Sequence, residues 1–264
     1  MNKNEDFGTI LKKERLQFKD NKELEKYYHN KWDTEGYTKG YTLFGINISS
    51  MYHKERQASA LKNLNLQKDD IVLDAGCGNG SLSLSISEKC KKIYAVDLAR
   101  TAFKENSRKP PKNLVFKKMN IEELKFRNES FSKIVCVETI EHVLNPDKVL
   151  QEFHRVLKPQ GILVISYPFL NQTIVGRFEL TFRIRKYFPI SEHLNEWKYK
   201  EAINHFTTNG FELLHSEGIV LDVGLLGRLR TLNKFFAINI TKIMLSTRRF
   251  PRNSSFVIFV LKKL

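Results

Sequence analysis

The sequence predicts an α/β protein built on a mostly parallel sheet with helices on both faces. Three observations carry this prediction. From residue 70 onward, short apolar runs alternate with amphipathic stretches. Such alternation builds βαβ units with right-handed crossovers, and so a sheet covered on both sides. The run VLDAGCGNG (72–80) sets three glycines between a strand and a helix. The run NPDKVLQEFHRVL (145–157) is a helix with one apolar stripe, Val149, Leu150, Phe153, Val156 and Leu157. Asn145 caps it and Pro146 suits its first turn.

The elements follow in order. Residues 1 to about 60 read as a helical and irregular extension, a lid, before the main domain of 61–264. IVLDAG (71–76) is a strand, with a helix near 81–89. KIYAVD (92–97) is a second strand, with a helix over about 98–106. NLVFKKMN (113–120) and FSKIVCVE (131–138) are the third and fourth strands. Gly161 ends the capped helix and opens the fifth strand, GILVIS (161–166). Residues 167–193 form an irregular insert in which Arg177, Arg183, Arg185 and Lys186 stand beside Phe178, Phe182, Tyr187 and Phe188. A helix over 195–210, a strand over 211–220, a basic amphipathic insert (224–252) and a last strand over 254–262 complete the chain. In such sheets ligands bind at the carboxyl ends of the strands.

Composition bounds the function. The 264 residues are 41% hydrophobic and 28% charged, ordinary for a globular domain with a sizeable core. There is no apolar run of about 20 residues to span a membrane. The N-terminus lacks the apolar core of a signal peptide. Cys77, Cys90 and Cys136 are scattered and without metal spacing, so they read as free thiols in a reducing compartment, the cytoplasm. The net charge is +15, and nine cations with no acid lie between Val223 and Leu264. Such a field fits a nucleic acid, an anionic membrane surface, a phosphorylated substrate, or a merely solubilising face.

The chemistry starts at the glycines. Gly76, Gly78 and Gly80 allow positive φ and close approach of a ligand to the backbone. Asp74 ends the strand before them. Asp97 ends the next strand, 17 residues after Gly80, where a carboxylate can accept from both hydroxyls of a ribose. The spacing G-x-G-x-G differs from the G-x-G-x-x-G of dinucleotide binders.

Over residues 60 to 220 this ordered pattern resembles the class I S-adenosylmethionine-dependent methyltransferases. VLDAGCGNG looks like their first motif, AVDLA (95–99) their second, and 131–166 their fourth and fifth. The resemblance implies a Rossmann-like, seven-stranded sheet. It also implies that Asp74 and the Gly76–Gly80 loop border the methionine part of S-adenosyl-L-methionine. Asp97 would hold the ribose, with Leu98 counted beside it. Asn120, where the family usually has Asp, would accept from the adenine amine, and Ile121 would touch the ring. Glu138 would close the site from the fourth strand.

Glu138, Glu141 and His142 stand at i, i+3 and i+4, which share one face on a helical turn. This E-x-x-E-H is similar to the same run in two methyltransferase families, the ubiquinone-biosynthesis O-methyltransferases and the small-RNA 2′-O-methyltransferases. The RNA enzymes add an H-x-x-E-W run, similar to His193, Glu196 and Trp197 here. The resemblance implies a four-ligand site, Glu138, Glu141, His142 and His193, for Mg²⁺, Mn²⁺ or Zn²⁺. Two other readings stay open: a metal-free base centred on His142 with Glu141, and a purely structural turn. ISYPF (165–169) departs from the I-S-T-P-N of these families, with Tyr167 for Thr and Phe169 for Asn.

The expected function is methyl transfer from S-adenosylmethionine to oxygen on a small or lipid-linked acceptor, with peripheral membrane contact through 224–252. RNA is the less favoured partner, since no separate RNA module is visible. The alternatives are a metal-dependent RNA ribose methyltransferase and a non-catalytic S-adenosylmethionine-binding module. The oligomeric state is left open.

Overall fold

The computed structural model describes residues 16–34, 42–104, 106–169, 193–221, 232–246 and 250–264. Helix α1 (Asn21–Thr34) starts after Asp20, whose carboxylate accepts from the Lys22 and Glu23 amides at 2.9 and 3.0 Å. A two-residue hairpin (Thr42–Leu43, Ile46–Asn47) leads into α2 (Ile48–Leu64). Asn47 caps α2 through the Ser50 amide, and Asn65 ends it with φ 44°.

The sheet then builds through β1 (Ile71–Ala75), α3 (Ser81–Ser87), β2 (Lys92–Asp97), β3 (Leu114–Lys118), β4 (Phe131–Cys136), α4 (Pro146–Val156) and β5 (Leu157–Pro168). It finishes with α5 (Tyr199–Thr208), β6 (Phe211–Gly218), α6 (Lys234–Ser246) and β7 (Phe256–Lys263). The order across the sheet is β3-β2-β1-β4-β5-β7-β6, seven strands as expected. Only β7 runs antiparallel, to both β5 and β6.

Side chains alternate along each strand, so neighbouring residues enter opposite layers. Leu73, Ile134, Leu163 and Phe259 join one buried cluster with Phe153 and Phe206. Val72, Val135, Val164 and Ile258 join the other with Leu64 and Ile86. The α4 stripe is fully buried at Val149, Leu150, Phe153 and Val156. Each such side chain contributes about 1.5–3 kcal/mol relative to exposure.

Two expected elements differ. The helix expected over 98–106 is a single 3₁₀ turn, Arg100–Phe103. Only Ala102 and Phe103 in it face inward, and the polar residues beyond supply no apolar repeat to pack a second turn. The insert expected from 167 begins later, because Tyr167 and Pro168 pair with Val257 and Phe256 as the end of β5. Most of that insert (170–192), and 222–231 and 247–249 of the basic stretch, lie outside the described residues.

Candidate active site

The register sets Asp74 opposite Ala95 and Val135, and Asp97 ends β2, so both acids reach the carboxyl edge of the sheet. The loop between β1 and α3 has positive φ at Gly76, Gly78 and Gly80. At Gly76 the requirement is also steric: an added Cβ would lie 2.1 Å from Thr139 Cγ2. The Gly76 and Cys77 amides donate to the Val96 carbonyl at 2.8 and 2.9 Å, which locks the loop to β2. Asp97 braces it from the other side, accepting from the Gly78 and Ala99 amides at 2.9 and 3.0 Å. Gly80 differs from expectation. It starts α3 and lies against Phe116, and it lines neither cavity over the loop.

Asp74 is buried beneath the loop and accepts from Ser83 Oγ at 2.5 Å. Burial raises its pKa from 3.8 to about 7, against the lowering by Ser83 and with a smaller push from Asp97. The folded state thus keeps this proton up to about pH 7, whereas the unfolded chain releases it near 3.8. Stability from this group is complete below the unfolded value and declines as pH rises toward the folded one, by roughly 4 kcal/mol in all. Asp74→Asn is expected to flatten that part of the stability profile. Urea unfolding between pH 5 and 7 measures it, and an unchanged slope in the variant would contradict the assignment.

Two cavities meet over the glycine loop and share Gly76, Gly78 and Glu138. The first is a cleft of about 240 Å³ lined by Asp97, Leu98, Met119, Asn120 and Ile121 among others. Asn120 Oδ1 accepts from the Glu122 amide at 2.9 Å, and a carboxamide oxygen has a second lone pair for a ligand. Tyr28 and Lys31 of α1 line it too, together with His142 and Val143. The second cavity is polar, with His53, Arg56 and Gln57 of α2 facing Asp74, Asn79 and Glu138. Burial and the Arg56 charge lower the His53 pKa from 6.5 to about 4. The residues from α1 and α2 were not among the expected site residues. They come from helices upstream of any motif, and the one available signal was that the extension precedes β1 directly.

The combined cleft is amphiphilic. It offers a cation and carboxylates at one end, a carboxylate at the centre, and an apolar wall with one amide at the other. This donor set fits S-adenosylmethionine, with its zwitterionic amino acid, ribose diol and flat base.

The E-x-x-E-H run is where the structure departs furthest from the expected geometry. Glu138 has φ 51° and is not on a helical turn with the other two; Ile140–His142 is a 3₁₀ turn. The Glu138 amide donates to Ser166 Oγ at 2.7 Å, and that hydroxyl donates back to Glu138 Oε1 at 2.7 Å. The second oxygen faces Arg56 Nε at 4.0 Å. Engaged in this way, Glu138 is not part of the cluster, and the expected four-ligand set reduces to three. Glu141, His142 and His193 offer ligand atoms that all lie within 4.8 Å of one another. Glu141 is 1% exposed, and neither carboxylate oxygen has a hydrogen-bond partner. Burial, then the Glu138 charge, holds its carboxyl well above the usual carboxylate range. The His142 and His193 rings meet edge to face at 5.1 Å.

His193 reaches this place because its segment is docked on the turn. The Leu194 and Asn195 amides both donate to the Glu141 carbonyl, at 2.8 and 3.1 Å. Asn195 Nδ2 donates to the Val143 carbonyl at 2.6 Å. Tyr167, buried at the end of β5, donates to the Asn195 carbonyl and accepts from the Trp197 amide, each at 2.7 Å. Its ring stacks on Trp197 at 5.0 Å. Tyr167 and Phe169 are core groups beneath the site, which accounts for their departure from the polar residues of the resembling families.

This sheet order, with a glycine loop, a β2-terminal acid and an amphiphilic cleft at the carboxyl edge, defines the class I methyltransferase architecture. The comparisons agree. A family model described as a methyltransferase domain matches residues 73–165. A ubiquinone biosynthesis O-methyltransferase of Rickettsia akari is 29% identical over 226 residues, 81% of this chain and 84% of the relative. The mitochondrial ubiquinone biosynthesis O-methyltransferase of Saccharomyces cerevisiae is 30% identical over 181 residues, 62% of this chain and 57% of the relative. An S-adenosylmethionine-dependent methyltransferase of Mesorhizobium loti matches the fold with a TM-score of 0.56 at 15% identity, over 80% of this chain and 100% of that one. The chain is a class I S-adenosylmethionine-dependent methyltransferase.

Proposed function

We propose that this methyltransferase acts on a hydroxyl oxygen of a small or lipid-linked acceptor, and that Glu141, His142 and His193 hold a divalent ion beside that hydroxyl. The observation that carries the reading is Glu141. A buried carboxylate with two unpartnered oxygens is costly unless a cation or proton donor meets it. Two imidazoles stand next to it. The names of the Rickettsia and yeast relatives support oxygen as the acceptor atom and a ubiquinone precursor as the kind of molecule.

Each residue then has a task. Asp97 would accept from the ribose hydroxyls, and Leu98, Met119 and Ile121 would cover the base while Asn120 would meet its amine. Arg56 would face the cofactor carboxylate, and Asp74 would lie under the ammonium end. Bound S-adenosylmethionine supplies a methyl group already made electrophilic by its sulfonium. The protein must align the acceptor, exclude water and remove the hydroxyl proton. Tyr28, Lys31 and Val143 wall the acceptor end, and α1 shields it. A divalent ion on the three ligands would supply Lewis acidity that lowers a hydroxyl pKa.

Chelation tests this. Activity on catechol-like acceptors is expected to vanish after exhaustive EDTA treatment and to return with Mg²⁺, Mn²⁺ or Zn²⁺. A second reading rests on the 3.7 Å approach of His142 Nε2 to Glu141 Oε1, a pair able to act as a metal-free base. Full activity in the chelated protein would establish that reading and remove the metal.

A further inference from the structure

The surface of α6 is unlike that of a helix that meets only water. Its inward face is Ala237, Thr241 and Met244, all buried and spaced i, i+4 and i+7. That face packs on α2, where the Tyr52 hydroxyl meets Met244 Sδ at 3.7 Å. The outward sector should be polar. Instead Phe235 is 69% and Ile243 52% exposed, with exposed Lys242 beside Phe235 on the same sector. Leu232, just before the helix, and Phe250, after it, are 62% and 57% exposed. Lys234 and Arg252 flank these apolar groups and are exposed as well.

We infer that the outward face of α6 docks on an anionic lipid bilayer, with the helix lying in the plane of the interface. Charge and size select this occupant. Among the described residues Lys234, Lys242 and Arg252 are exposed around this face, and the sequence has no acid between Val223 and Leu264, so the surface complements an anionic headgroup layer. Exposed Phe, Leu and Ile alternate with those cations, and such groups gain from acyl chains but not from a soluble polyanion. A second copy of the same cationic face would meet like charge. The 13 residues of α6 extend about 20 Å, too short for a bilayer core of about 30 Å. Among the described residues no helix is long and apolar enough to cross a membrane. Helix α2 links this surface to the cleft: Tyr52 touches α6, and His53, Arg56 and Gln57 line the polar cavity. Docking would thus present the cleft at a lipid surface. The inference stands on the surface itself and not on the identity of the acceptor.

Co-sedimentation with vesicles tests it, using phosphatidylcholine alone and phosphatidylcholine mixed with phosphatidylglycerol. The wild-type chain is expected to sediment with the mixed vesicles only, and less so at high salt. The double variant Phe235→Ser, Ile243→Ser is expected to lose about tenfold or more of this partitioning. Lys242→Glu is expected to lose several-fold. All three positions are exposed, so circular dichroism and S-adenosylmethionine affinity should not change. Equal binding to neutral vesicles, no binding to anionic ones, or unaltered binding by the double variant would overturn the inference. So would a wild-type dimer that the double variant splits, since a second copy would then be the occupant.

Discussion

Glu141→Gln is expected to lower kcat/KM for methyl transfer by about a hundredfold or more, with S-adenosylmethionine affinity within a factor of about three. The asymmetry follows from position. Glu141 is not among the residues lining either cavity over the glycine loop, whereas its neighbours His142 and Val143 line the first cleft. Replacing the carboxyl by an amide should therefore leave cofactor contacts in place and remove one of the three proposed ligands. A purely structural role predicts something different. The carboxylate makes no hydrogen bond that the variant would break, so the metal-free melting temperature should not fall. The decisive measurement is thermal: the wild type should be stabilised by added Mg²⁺, Mn²⁺ or Zn²⁺, and Glu141→Gln should not. A variant that keeps both metal-dependent stabilisation and activity would eliminate Glu141 as a ligand.

The legible and illegible parts of this site divide along a physical line. Asp74, the glycine loop and Asp97 were readable because they are local consequences of strand ends. A β-strand that stops at a tight positive-φ turn needs glycine there, and an acid at the next strand end lies one strand spacing away. Glu138 was misplaced because its spacing assumed a helix. The chain instead leaves β4 through a left-handed residue, and glutamate gives no sign of adopting φ 51°. The polar cavity was missed because His53, Arg56 and Gln57 belong to α2, packed against the sheet from before the first motif. Nothing in a polar helix announces which turn faces a distant loop. The strands themselves, by contrast, follow from the alternation of apolar runs with amphipathic stretches, and the seven-stranded sheet agrees with what the resemblance implied.

Tyr167 joins these levels, and Tyr167→Phe is the sharper test of how the site is held. The substitution keeps the ring, its 5.0 Å stack on Trp197 and its place in the core. It removes one oxygen that receives the Trp197 amide and donates to the Asn195 carbonyl. Leaving a buried donor and acceptor unpaired costs roughly 1–3 kcal/mol each, so a clear fall in melting temperature is expected. The functional consequence comes through His193, two residues before Asn195. Its ring lies against His142 in a segment whose Leu194 and Asn195 amides donate to the Glu141 carbonyl. Losing the clamp should loosen that segment and weaken divalent-metal affinity by about ten- to a hundredfold, the usual effect of removing a group that orients a ligand. A merely structural role predicts the stability loss without the change in metal affinity. The readout that separates them is metal titration well below the variant's melting temperature. An unchanged affinity there would show that the segment's other hydrogen bonds suffice to hold His193, and that the tyrosine at this strand end serves the core only.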